Sequence, residues 1–347
     1  MASTPAPAHE PSPALHQLLD QGLAYPPEFG AGLSSHLPMA LAALDGLGAD
    51  ATRLRSFFAS YVRRFNGRTP PSAAQPLADW PAQRGQFAMF APLQANFADV
   101  LARKGRDAVL REALPLLVSG IGAAAFHGAI RTAHAVESRH DGELAAALAY
   151  WAARWMPLPA PAAGPLIDGV ADWLDAIYTA WQRDAASRRD AGGLISARMQ
   201  EAAQSDTYRG WAGRLGTAER NSADLLHQLA LAAAARYAAT RNFTVLHMAT
   251  GARAARVLAP WLPAAADALA PLWSAVAAAS MASGVAPAAA RAVADDNVPA
   301  WPELRARACA SDDDHVIKLV HAMAVQHTAA PHPVWQRAAA AAVAGGA

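Results

Sequence analysis

The stretch Ser222-Ala-Asp-Leu-Leu-His-Gln-Leu-Ala-Leu-Ala-Ala-Ala-Ala-Arg-Tyr-Ala-Ala239 decides the fold class. Alanine and leucine, the strongest helix formers, fill it, and it contains no glycine, proline or β-branched residue. Outward from it the same composition recurs between proline and glycine breaks. Alternating β-branched runs are absent, so no sheet of any size is expected. The reading is an all-α protein, a compact multi-helix assembly. Helices are predicted over 12–22, 36–47, 50–65, 85–103, 107–119, 122–138, 142–155, 165–186, 192–203, 207–215, 217–239, 242–260, 263–281, 287–294 and 312–328. Breaks are expected at Arg68–Ser72, Met156–Pro161 and Asp295–Pro299. The domain reading is a disordered lead over 1–15, one helical catalytic domain over 16–328 and a tail over 329–347. Two halves could meet near 157–165.

Composition narrows the function. Of 347 residues, 53% are apolar and 16% charged, with a net charge of +1. There is no basic stripe for nucleic acid and no polybasic block for a lipid surface. The single cysteine, Cys309, leaves no intramolecular disulfide and no cysteine-based zinc site, which suits a reducing compartment. The N-terminus lacks the features of a signal peptide. The Ala-rich stretch 262–294 is broken by Pro263, Asp267, Pro271 and Pro287, so it does not read as a membrane span. A soluble, cytoplasmic protein is expected.

Gly120-Ile-Gly-Ala-Ala-Ala125 fits the dinucleotide pattern G-x-G-x-x-A, but helix is predicted on both sides of it and the pattern needs a βαβ unit. Its glycines read better as sites of close helix packing. The chain also lacks the nucleophile-elbow, P-loop and HExxH motifs.

The twelve histidines are the stronger lead. His9, His16, His140 and His332 lie in polar or loose surroundings and are expected to be solvated. The other eight fall on predicted helices. In Phe126-His127-Gly128-Ala129-Ile130-Arg131-Thr132-Ala133-His134, His127, Arg131 and His134 share a face. The two histidines stand about 10 Å apart along the axis, too far for one small ion bound at roughly 2 Å. His127 is thus a ligand with Arg131 or His134 behind it, or a core histidine bonded to a carbonyl. His247 sits in an otherwise apolar turn, and His36 opens a helix with Ser34 or Ser35 as cap. In Ser311-Asp-Asp-Asp314-His315-Val-Ile-Lys318, the acids are explained by capping-box spacing and the helix dipole. His315 and Lys318 then share an apolar face. Only two lysines occur, Lys104 and Lys318. A buried Lys318 would have a lowered pKa and could act as a base or be carboxylated; one that snorkels or pairs with Asp314 would do neither.

Taken together, His36-Leu-Pro-Met-Ala-Leu, Phe126-His127-Gly-Ala-Ile-Arg, Leu246-His247-Met-Ala-Thr-Gly, Asp314-His315-Val-Ile-Lys318 and Ala147-Leu-Ala-Tyr-Trp151 resemble the questin oxidase-like family over about residues 16–325. The resemblance implies oxygen insertion or ring cleavage in aromatic polyketides. It also implies a mononuclear non-haem iron held by His36, His127, His247, His315 and a carboxylated Lys318. Arg131 and His134 stand where the family shows other residues, so they are expected not as ligands but as supporting catalytic groups behind them. Dioxygen and a small aromatic substrate are the expected partners, and NADPH is a possible reductant. Two other readings stay open. One is a metal-free, NADPH-dependent Baeyer–Villiger-type oxygenase with histidines as acid/base groups. The other is a non-catalytic helical binding module, in which the histidines would scatter in space.

Overall fold

A computed structural model describes residues 9–65, 67, 74–77, 79–188, 192–217, 220–264, 266–286 and 298–345. Sixteen α-helices occur among the described residues, with one two-stranded hairpin. In chain order come α1 (Pro13–Gly22), β1 (Glu28–Phe29), β2 (Leu33–Ser34), α2 (Leu37–Leu47), α3 (Ala51–Tyr61), α4 (Phe90–Lys104), α5 (Arg106–Leu117) and α6 (His127–Glu137). After α7 (Asp141–Arg154), an irregular Pro-rich stretch leads to α8 (Val170–Trp181), α9 (Ile195–Ala202) and α10 (Asp206–Trp211). The chain ends with α11 (Ser222–Thr240), α12 (Phe243–Leu258), α13 (Ala270–Ser283), α14 (Trp301–Ala310), α15 (Asp314–Ala329) and α16 (Pro333–Gly345). β1 and β2 pair antiparallel, Glu28 opposite Ser34. No helix among the described residues is long and apolar enough to cross a membrane.

The all-helical expectation holds, and most element boundaries agree within a few residues. The helix read over 287–294, the break at Arg68–Ser72 and residues 295–297 of the break at Asp295–Pro299 lie outside the described residues. Two helices were not foreseen. α14 follows the break at Asp295–Pro299 and buries Leu304 and Ala308. α16 occupies the stretch read as a tail, and buries Trp335, Ala338, Ala339 and Ala342 against α11 and α15. His140 was expected in solvent but is buried: its ring accepts from Glu143 N and faces Asp20 at 3.1 Å.

The apolar core is one continuous cluster from α1 to α16. At its centre α2, α6, α12 and α15 pack on one another. Small residues permit this closeness. Gly128 of α6 lies under Trp151 of α7, and Gly251 of α12 lies against Phe126. The Gly120–Ala125 stretch is packed as a close approach, with Trp155 over Gly120 and two methionines against Gly122. That stretch is a turn, not the first turn of a helix over 122–138. Ala124, Ala125 and Phe126 all have positive φ, 46°, 57° and 68°. For residues with a Cβ this left-handed conformation costs about 1–2 kcal/mol each, and such strain concentrates at functional sites.

Candidate functional site

The four helices at the centre of the core present their N-terminal ends to one cavity. His36 is the residue before α2, His127 is the first residue of α6, His315 is the second of α15 and His247 the fifth of α12. The backbone explains each placement. The β1–β2 hairpin delivers the chain into α2, and Tyr61 O–H oxygen accepts from His36 N at 2.7 Å. The left-handed turn at Ala124–Phe126 throws His127 back so that its Nδ1 meets Ala124 O at 2.5 Å. Asn242 caps α12 through Thr244 N and Val245 N, which sets His247 one turn in.

The imidazoles of His36, His127, His247 and His315 form a closed ring. Neighbouring ring centroids are 4.5 Å apart for His36–His127, 4.8 Å for His127–His247, 5.5 Å for His247–His315 and 4.6 Å for His315–His36. A centroid lies about 3.2 Å from an ion ligated at about 2.1 Å by the ring nitrogen, so neighbours at right-angled to tetrahedral positions stand about 4.5–5.2 Å apart. Three of the four observed spacings fall in that range, and His247–His315 at 5.5 Å lies beyond it.

The nitrogen chemistry matches as well. His127 Nδ1 faces Ala124 O and His247 Nδ1 faces Phe243 O at 2.7 Å. A carbonyl can only accept, so both Nδ1 atoms carry the proton and both Nε2 lone pairs are free. Nε2 of His127 and of His315 are buried without a partner. A buried polar atom left unpaired costs about 1–3 kcal/mol, and a cation between the rings would satisfy both. Burial holds all four imidazoles below their ordinary range, His36 down to about 3 and His127 and His247 well below, aided by Lys318 and by one another. Helix N-termini carry partial positive charge, which disfavours protonation in the same direction. Neutral imidazole is the ligating form.

Lys318, one turn after His315, is 2% exposed. Burial brings its amine down to about 8, against the pull of Asp314 and Asp313. Its Nζ stands 3.9 Å from Asp314 Oδ1. The snorkelling alternative is thereby removed, and the Asp314 pairing survives only as a long contact.

Asp314 is the residue that sequence reasoning set aside. The acids before α15 had been assigned to capping, and Asp313 alone takes that role, accepting from His315 N and Val316 N. Asp314 is turned inward and buried. His36 Nδ1 meets its Oδ1 at 2.5 Å, His315 Nδ1 stands 3.1 Å from the same oxygen, and Arg64 donates to Oδ2 at 2.8 Å. Burial alone would push its carboxyl up, but His36, Lys318 and His315 outweigh that and hold it well below the usual carboxylate range. Among the described residues, the group whose ligand atoms all lie within 4.8 Å of one another is His36, Asp314 and His315; His127 and His247 stand outside that group. The signal available in the sequence was its position, next to one site residue and one turn from another.

Arg131 and His134 stand apart from the cavity wall. Arg131 makes a buried fork with Glu143, Nε to Oε1 at 2.6 Å and one Nη to Oε2 at 2.9 Å. His134 lies tilted against His321 of α15 at 5.6 Å between ring centroids, close to the Arg253–Glu137 ion pair. The cavity itself measures about 950 Å³, at the upper end of small-molecule sites. Phe29, Trp155, Met156, Leu194 and Phe243 give it apolar walls; Glu28, Arg64, Arg154 and Arg198 line it with charge. Phe243 packs edge-on to both His247 (4.7 Å) and His315 (4.6 Å).

Fold and site together define an all-helical protein with a large, mostly apolar pocket lined at one side by neutral imidazoles. The chain matches the Questin oxidase-like family over residues 33–323 and belongs to it. Membership makes it an oxidase-like enzyme. None of the curated proteins compared matches the chain.

Proposed function

We propose that the protein is a metal-dependent oxygenase acting on an aromatic polyketide or quinone-like molecule. In this reading His36, His127, His247, His315 and Lys318 hold one non-haem iron. The observation that carries it is the closed imidazole ring with buried, unpartnered Nε2 atoms at His127 and His315. Imidazole nitrogens with an oxygen ligand suit iron(II). When bound, the iron would supply the one-electron chemistry that lets dioxygen react with a closed-shell aromatic.

The protein's own part is orientation. The Ala124 and Phe243 carbonyls fix the tautomers of His127 and His247, and Asp314 aligns His36 and His315 from behind. With its pKa near 8, Lys318 keeps a fraction of free amine at neutral pH. That amine can add carbon dioxide, forming an N–C bond and releasing one proton to give an anionic carbamate. The carbamate would present oxygen donors where an ammonium could not ligate at all. Asp314 is less suited to ligation, because His36 and Arg64 already occupy its two oxygens. Phe243, Trp155 and Met156 line the pocket, and the two aromatic rings offer faces to a planar substrate. NADPH would serve as reductant for any electrons that substrate and iron do not provide. The convergence of the histidines argues against a non-catalytic module, which predicted scatter.

Metal analysis after anaerobic reconstitution tests the reading: about one equivalent of iron per chain is expected, and less than about a tenth of an equivalent of iron, manganese or zinc would count against it. Lys318→Ala should lower both metal content and activity. Unchanged values would remove Lys318 from the site.

A further inference from the structure

The charges around the cavity balance except for one. Arg64 is held by Asp314 at 2.8 Å, and Arg154 forms a fork on Glu28, its Nε donating to Oε1 at 2.7 Å. Arg198 of α9 has no carboxylate within ion-pair distance among the described residues. One of its Nη groups donates to Thr244 Oγ1 at 3.2 Å and the other to Ala282 O at 3.4 Å. Both bonds are long and neutral, and its Nε is buried with no partner. A guanidinium is built to take a planar oxyanion with two donors at once.

Its position gives the surplus charge a purpose. Thr244 lies one residue after Phe243 and one turn before His247, so Arg198 is fastened to the helix end that carries both groups. The N-terminal ends of α2, α6, α12 and α15 point at the same cavity, and each adds positive potential there. Neither Glu28 nor Asp314 is free to offset it, since each is already engaged by an arginine.

We propose that Arg198 anchors an oxyanion on the substrate, so that the preferred ligand is an aromatic acid: a fused planar ring bearing a carboxylate or phenolate. This rests on the aromatic-substrate reading above. The ring would lie along Phe243 while Arg198 fixes the end of the molecule away from the imidazoles. Arg198 is then the residue that sets which edge of the ring faces the reactive end of the pocket.

The test uses the full chain as purified, held under argon so that no turnover occurs. Binding of 9,10-anthraquinone-2-carboxylate and of its neutral carboxamide is measured by calorimetry and by quenching of tryptophan fluorescence. The carboxylate should bind roughly tenfold or more tightly than the carboxamide, the margin of a charge-assisted over a neutral hydrogen bond. Arg198→Gln should abolish that gap while leaving carboxamide binding in place, and Arg198→Lys should narrow it. Arg209→Gln, an exposed change on α10, should leave the gap intact. Should Arg198→Gln fail to fold, the narrowing in Arg198→Lys and the wild-type gap still decide the matter. Equal binding of both probes to the wild type, or an undiminished gap in the Arg198 variants, overturns the anchor and leaves the aromatic pocket standing. If neither probe binds, both readings fall.

Discussion

Asp314→Asn separates an orienting carboxylate from a metal ligand. In the structure, Asp314 meets His36 Nδ1 at 2.5 Å, stands 3.1 Å from His315 Nδ1 and accepts from Arg64 at 2.8 Å. Asparagine keeps one acceptor oxygen, which stays with His36, the nearest donor. That bond drops from charge-assisted to neutral, a loss of about 1 kcal/mol. The amide NH2 then faces Arg64, whose side chain is 41% exposed and can swing into water, so this loss is at most about 1 kcal/mol. His315 Nδ1 loses the attraction of a full negative charge, a further fraction of that amount. The sum, about 2 kcal/mol, corresponds to roughly 10–100-fold in metal affinity, the usual effect of losing a group behind a ligating histidine. Stability of the metal-free chain should change little, because removing a buried charge offsets the weaker hydrogen bonds. The assay is anaerobic iron(II) titration against a competing chelator, with urea denaturation of metal-free protein alongside. Affinity within threefold of wild type would refute the orienting role. A loss beyond roughly a thousandfold, well outside that range, would make Asp314 a ligand itself.

Three further outcomes follow from the geometry. Arg131→Met should destabilise by about 3–5 kcal/mol, because it strands a buried Glu143 carboxylate; Arg131→Met/Glu143→Leu should recover most of that in urea melts, and a single variant that melts like wild type would contradict the buried pair. Gly128→Ala places a Cβ 2.7 Å from Trp151 Cγ, so it should cost about 1–3 kcal/mol and shift tryptophan emission; no change in thermal midpoint would mean that α6 and α7 are not packed this closely. His134 and His321 are buried and held well below the ordinary histidine range, first by burial and then by Arg253. Their folded pKa values are depressed, so the unfolded chain binds more protons below pH 6.5, and stability present above that value is lost as pH falls. Between pH 7.5 and 5.5 the pair should account for roughly 2–3 kcal/mol of lost stability. Taken as the difference between wild type and His134→Leu/His321→Leu, the other histidines cancel; equal pH slopes would show that these rings protonate in the folded state.

What the sequence disclosed and what it withheld follow a physical line. Helix content was legible because alanine and leucine carry their propensity locally. α16 carries the same local signal in Ala338–Ala342, but nothing in that run marks a buried face, and only the packing of Trp335 against other helices makes it part of the core rather than a tail. α14 follows the break that ends at Pro299 and opens with Trp301-Pro302, which reads as more of the same loop. The ligand candidates were visible as histidines in apolar turns, but local spacing could not bring together His36 and His315, 279 positions apart. The family resemblance supplied that set, and the geometry gathers it. Asp314 was obscured by a sound rule, since an acid at a helix start has a sufficient explanation in capping; Asp313 satisfies the rule and releases its neighbour for the site.

Two departures from what residue type alone favours sit beside the imidazoles. Alanine gives no warning of left-handed backbone, yet Ala124 and Ala125 adopt it beside His127, where the strain puts a carbonyl behind the ring. Lysine is rarely buried, yet Lys318 is, on the face shared with His315. Each departure costs stability, and each sits within one turn of an imidazole whose orientation it serves. A fold selected for stability alone would place glycines in that turn and an apolar residue at 318. That both are absent where the four helix ends converge is a reason, independent of any family likeness, to read the cavity as the place where this protein does its chemistry.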